Sequence, residues 1–163
     1  MRILAILTAC LLAGCATTDK FDFPSDIASL CHHARNQAKA CIEAKGMPLP
    51  VEKPCRVVKR VGQVKIGGTW AWYEPAFNMQ PVGGTCSGKE IQIASDPATG
   101  AVHFPFLQHE MAHYWLIGNY QDWGHAAKYK GCFANWKEPP ASYRATFAEE
   151  AERVHYDVVE GVE

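Results

Sequence analysis

The chain has 163 residues and a formal net charge of −1, from 16 Lys and Arg against 17 Asp and Glu. That balance, with no Lys/Arg-rich stretch, argues against nucleic acid or an acidic polymer as a partner. There is no internal repeat and no low-complexity segment, and the length suits one folded domain with its own core.

Residues 1–14 read as an export leader: Arg2, then an apolar run too short to span a bilayer as a helix, ending in small residues. Leu12-Ala13-Gly14-Cys15 resembles the lipobox of bacterial lipoproteins. The resemblance implies cleavage before Cys15, diacylation of Cys15 and a membrane anchor, with residues 15–24 as a lipidated tether. No Asp follows Cys15 directly, which by resemblance to Gram-negative lipoproteins implies sorting to the outer membrane, facing the periplasm. The alternative is an ordinary cleaved leader in which Cys15 is incidental. Residues 25–163 then form the single domain.

Cysteine use agrees with export. Cys10 leaves with the leader and Cys15 carries lipid, so Cys31, Cys41, Cys55, Cys86 and Cys132 remain. In an oxidising compartment these predict up to two disulfides and one odd thiol. On one helix Cys31 and Cys41 would stand about 15 Å apart along the axis, beyond the ~7 Å limit for a bridge. Cys41 with Cys55 is the simplest pairing, because Gly46 and the prolines after it let the chain turn back.

In chain order, Ser25 is a candidate N-cap for a helix over 26–45 that Gly46 ends. Ile27, Leu30, Cys31, Ala34, Ala38, Cys41 and Ile42 give it one apolar stripe, with His32 and His33 off the stripe and expected in solvent. Residues 47–55 are punctuated by three prolines and read as an extended connection. Strands are expected at 56–61, 63–66 and 69–73, separated by Gly62 and Gly67-Gly68, then a loop over 78–89 and a strand over 90–95. A helix over 105–117 follows, with Pro105 in its first turn and Gly118 as its stop. Residues 119–138 show no period, and a last helix is expected over 142–159. The order predicts an α+β fold with one small, mostly antiparallel sheet packed against the middle helix and the N- and C-terminal helices.

The middle helix carries the chemistry in His109-Glu110-Met111-Ala112-His113. Four residues apart on a helix, both imidazoles leave one face a turn apart, a spacing that lets two neutral nitrogens reach one Zn2+ at ~2.0–2.1 Å. Glu110 follows the first ligand without coordinating. It can hold a water at the metal, take its proton during attack on a carbonyl and pass it to a leaving amine. A catalytic zinc needs a third protein ligand. His125 qualifies, at the end of a Gly-flanked loop over 118–124. The metzincin pattern fails, because its Gly and His would fall at Leu116 and Asn119.

The segment HEMAHYWLIGNYQDWGHAAKY resembles the active-site segment of SprT-like zinc peptidases, over about twenty-five residues. There HExxH is followed, after a loop of about a dozen residues, by a third His and an aromatic one turn later. The resemblance implies a zincin-like fold, His109, His113 and His125 as ligands, Glu110 as catalytic acid and base, and Tyr129 as the following aromatic. Ala126 stands where the family usually has Gly. Crosslink-repair relatives of that family are intracellular, so an exported lipoprotein shares at most the ligand geometry and the reaction.

Glu150 competes for the third position. It falls within the apolar stripe Tyr143, Phe147, Ala151, Val154 and Val158 of the last expected helix, where a carboxylate needs a partner. It could be a ligand, as in glutamate-type zincins, could accept the outer N–H of a liganding His, or could be paired structurally. Loop spacing and ligand chemistry favour His125. Residues 90–95 could be the edge strand that takes an extended peptide, and Tyr114, Tyr120 or Tyr129 could steady an oxyanion or simply pack. His103 and His155 read as incidental, and Cys132 as a disulfide partner. The expected activity is a zinc metallopeptidase acting on a peptide or protein substrate at the cell envelope. The alternatives are a non-catalytic zinc-binding envelope lipoprotein and a zinc amidase acting on cell-wall peptides.

Overall fold

The structure is a computed structural model describing residues 23–133 and 156–159. The leader, Cys15 and the tether up to residue 22, with Glu150, His155 and the stretch 142–155 of the last expected helix, lie outside the described residues.

Helix α1 spans Phe23–Ala44. Ile27, Leu30, Cys31, Ala34, Ala38 and Ile42 are each at most 4% exposed, so the expected stripe faces the core. The helix begins before Ser25, which therefore lies inside it rather than at its N-cap, and Pro24 occupies the first turn, where no N–H partner is lost. Gly46 closes the other end at φ 79°, its N–H donating to the Glu43 carbonyl at 2.9 Å. That turn sends Met47 and Leu49 into the core.

Two sheets are present among the described residues where one was expected. The first contains β1 (Cys55–Val61), β5 (Gly84–Cys86), β6 (Glu90–Ser95) and β7 (Tyr156–Val159), in the order β5-β6-β1-β7. The second is the meander β2 (Val64–Ile66), β3 (Thr69–Glu74) and β4 (Gln80–Val82), with the 3-10 turn η1 (Pro75–Phe77) between its last two strands. The α+β class holds. Antiparallel strand pairings outnumber parallel ones three to two, yet the central strand β1 is parallel to both neighbours.

Three strand assignments differ from expectation, each through tertiary pairing. The stretch expected as a loop contains β4 and β5, short strands whose Pro81 and Gly84 mask them in composition. Residues 156–159, expected as helix, are a strand because their register places them beside Cys55 to Val58 of β1. Strand β6 is not an edge, since β5 lies on its outer side and β1 on its inner side.

Val57, Ile91 and Ile93 of the first sheet join the core beneath α1 and helix α2 (Phe104–Tyr120). The opposite face is clamped to the second sheet through Arg60. Its Nη1 donates to Glu74 Oε2 at 3.1 Å and to Gln92 Oε1 at 3.2 Å, with the guanidinium 4.8 Å from the Trp72 ring. Trp72 Nε1 also donates to Glu74 Oε2, at 2.8 Å. One charge-assisted cluster thus joins β1, β3 and β6.

Helix α2 is buried almost all round and is the centre of the molecule. It runs through Gly118 and ends at Gln121 in the left-handed region at φ 52°. Two contacts beyond Gly118 hold the added residues. Asn119 exchanges bonds of 2.9 and 3.1 Å with the Val51 backbone, and the Tyr120 hydroxyl donates to the Pro48 carbonyl. A 3-10 helix, η2 (Ala127–Phe133), occupies part of the stretch in which no period was visible. Because α2, η2 and β7 all contact α1, its buried arc is wider than one stripe. His32, expected in solvent, is only 8% exposed, and His33 is half-buried with its ring 5.7 Å from Phe104.

Cys41 bonds to Cys132, not to Cys55, across 91 residues of chain. It ties the last turns of α1 to η2. Cys31, Cys55 and Cys86 are free thiols, so the described residues hold one disulfide and three free thiols, where up to two disulfides and one odd thiol were expected. Burial pushes Cys55 and Cys86 up to about 12, which keeps both protonated and poorly nucleophilic. Non-reducing peptide mapping should recover a Cys41–Cys132 peptide. Replacing both residues with Ala should cost about 2–5 kcal/mol in urea unfolding, as for native disulfides generally. A mapped Cys41–Cys55 bridge would contradict this topology.

Candidate metal centre

Helix α2 presents His109 and His113 on one face, and the segment after its C-terminus brings His125 to them. The three Nε2 atoms form a near-equilateral triangle: 3.2 Å between His113 and His109, 3.0 Å between His113 and His125, and 3.1 Å between His125 and His109. Three nitrogens at ~2.0–2.1 Å from one tetrahedral ion would stand about 3.3 Å apart, close to the observed spacing. These side chains are a group able to hold one metal ion.

The orientation of His109 is fixed from outside the triangle. His109 Nδ1 lies 3.1 Å from the Phe133 carbonyl, which can only accept, so the proton of neutral His109 sits on Nδ1 and its Nε2 offers a lone pair inward. This is the arrangement by which liganding imidazoles are usually oriented. Burial lowers His109, and burial reinforced by His109 and His125 pushes His113 down to about 4. Both rings are held neutral, the form a metal requires. The Phe133 ring forms a shared wall, 5.0, 4.7 and 4.5 Å from the rings of His109, His113 and His125.

Glu110 is 6% exposed and lies against β5. A Cβ placed on Gly84 would come 2.8 Å from its Cγ and 2.9 Å from its Oε1, so the carboxylate occupies space that only a glycine leaves open. Gly83 is equally tight, with an added Cβ 1.9 Å from the Phe106 ring. Burial, with no cation paired to it among the described residues, pushes Glu110 up to about 8. A cation held by the imidazoles would draw it back toward the range useful to a general base near neutrality.

The tyrosines have other partners. Tyr114 donates to the Lys53 carbonyl, Tyr120 to the Pro48 carbonyl, and Tyr129 to Asp122 Oδ2. Burial and the bond to Asp122 push Tyr129 up to about 12, so it stays a donor. His103 lies apart as the N-cap of α2, its ring 4.9 Å from Phe106. Asp122, Phe133 and the Gly83-Gly84 pair were not among the residues singled out in the sequence. Asp122-Trp123-Gly124 does carry a turn signal, and adjacent glycines signal close backbone approach. The contribution of Phe133 is a main-chain carbonyl, which no residue pattern reveals.

Comparison with protein-family models, with curated proteins and with solved structures finds no match.

Gly84→Ala should displace the Glu110 carboxylate while leaving the three imidazoles in place. A crystal structure of the variant is expected to show Glu110 shifted away from β5 and the His triangle unchanged. Glu110 keeping its position would contradict the steric argument.

Proposed function

We propose that this chain is a zinc-dependent hydrolase of the zincin type that cleaves peptide bonds at the bacterial cell envelope. The observation that carries this reading is the His109–His113–His125 triangle with the buried Glu110 next in sequence to its first member. A purely structural metal site has no use for such a carboxylate, whose burial is costly.

His109, His113 and His125 would hold the ion and leave its fourth position open. When bound, zinc would polarise a water and the scissile carbonyl. Glu110 accepts a hydrogen bond from the attacking water and takes its proton as the new C–O bond forms. It then returns that proton to the departing amine nitrogen as the C–N bond breaks. The edge beside Glu110 is β5, so an extended peptide would add there, in the role the sequence suggested for β6. Phe133 gives the imidazoles an apolar wall. Leu12-Ala13-Gly14-Cys15 supports anchoring through a lipid on Cys15, which would hold the domain at a membrane surface.

The test separates ligand from base. His109→Ala and His113→Ala should lose zinc and peptide cleavage together. Glu110→Gln should keep about one zinc per chain and lose turnover by roughly 10²–10⁴-fold, the usual worth of a general base. Full activity in Glu110→Gln on a peptide library would sink the hydrolase reading. His125→Ala should weaken zinc as severely as His113→Ala. Glu150→Gln should cost only the ~10–100-fold of an outer partner. The reverse order would make Glu150 the third ligand.

Anchoring is checked separately. Expression of the intact chain in a bacterium should give a membrane-bound protein with an acylated Cys15, and Cys15→Ser should release a folded one. A soluble wild-type protein with an unmodified amino terminus would end the lipoprotein reading.

A further inference from the structure

His109 and His113 stand on a buried helix. His125 shares their wall at Phe133 but has no such element beneath it. Its side chain is exposed, and residues 122–126, on which it sits, form neither helix nor strand. An exposed imidazole on such a segment would sample many directions, and each lost rotamer costs entropy when it binds. Something else must aim it.

The carboxylate of Asp122 is in position to do so. Its Oδ1 accepts from the Gly124 N–H at 2.9 Å, closing a turn immediately before His125. Its Oδ2 accepts from the Tyr129 hydroxyl, seven residues on. The far end of that second bond is anchored, because Tyr129 is fully buried with its ring 6.0 Å from Phe133. The Phe133 carbonyl in turn accepts from His109 Nδ1, and its neighbour Cys132 is bonded to α1. His125 thus sits inside a closed loop of contacts: Asp122, Gly124, His125, Tyr129 and back to Asp122.

We propose that Asp122 is the positioning residue of the metal centre, stapling the His125 segment to buried Tyr129 so that the third imidazole is aimed before any ion arrives. The proposal rests on the zinc reading above. It gives Tyr129 a role other than steadying an oxyanion: its hydroxyl serves the ligand through Asp122. Neither residue touches the reacting atoms. Each bond can be cut alone. Tyr129→Phe removes the hydroxyl donor, and Asp122→Asn keeps one acceptor oxygen where two are used.

The experiment uses the full chain, with zinc affinity measured by competition with a chromophoric chelator. The visible spectrum of the Co2+ form serves as a reporter of ligand number, and the melting temperature of the metal-free protein is followed alongside. Asp122→Asn and Tyr129→Phe are each expected to weaken zinc by about 10–100-fold, the range for partners of liganding groups. The double variant should be no weaker than the worse single, because both cut one connection. The Co2+ spectra should shift toward that of His125→Ala. If Asp122→Asn fails to fold, Tyr129→Phe alone decides the matter. Zinc affinity within about twofold of wild type and an unshifted Co2+ spectrum, in a protein where His125→Ala loses both, would overturn the positioning role and leave the zinc reading intact. A wild-type chain that takes up no zinc would overturn both together.

Discussion

The bond between His109 Nδ1 and the Phe133 carbonyl joins two parts of the chain that are 24 residues apart, and the site is built around it. On the α2 side it fixes the tautomer and rotation of the first imidazole, so that Nε2 faces the centre. On the η2 side it brings in the Phe133 ring, which contacts all three imidazoles. The carbonyl is in place because Cys132, one residue earlier, is bonded to Cys41 of α1. Helix α1 is itself locked to α2 through the Trp115 indole N–H, which donates to the Arg35 carbonyl at 3.0 Å. A covalent link, a main-chain acceptor and a buried helix thus converge on one ring.

The electrostatics follow from the same packing. Burial, reinforced by the neighbouring rings, favours the neutral forms of His109 and His113. Burying Glu110 beside Gly84 favours its protonated form. His109, His113 and Glu110 therefore add little charge without a metal, which is how they can sit at the edge of a folded core without a large desolvation penalty. A divalent cation held by the three imidazoles would reverse the balance by stabilising the glutamate as a carboxylate. Fold and chemistry are matched through burial, not through surface ion pairs, which contribute little.

What the sequence revealed is what local spacing controls. His109 and His113 meet because i and i+4 share a helix face, and the α1 stripe is buried for the same reason. His125 was legible from the chemistry a third ligand requires, with a turn-rich segment of suitable length. The features that were hidden depend on distant partners. Residues 156–159 become β7 through pairing with β1, and β5 exists because β6 offers it an edge. Gly118 reads as a stop, yet the helix continues past it because Asn119 and Tyr120 find acceptors in the connection after α1. Cys41 reaches Cys132 instead of Cys55 because α1 packs against η2, while Cys55 is drawn into the sheet. None of these partnerships leaves a periodic trace.

The central claim is that three imidazoles, gathered by α2 and the segment after it, form a zinc site. X-ray absorption at the zinc edge on the purified full chain tests it most directly. One zinc per chain, with three imidazole nitrogens at ~2.0–2.1 Å and a single lighter scatterer beside them, is the expected result. Absence of zinc, or sulfur at ~2.3 Å from a thiol such as Cys86, would contradict it.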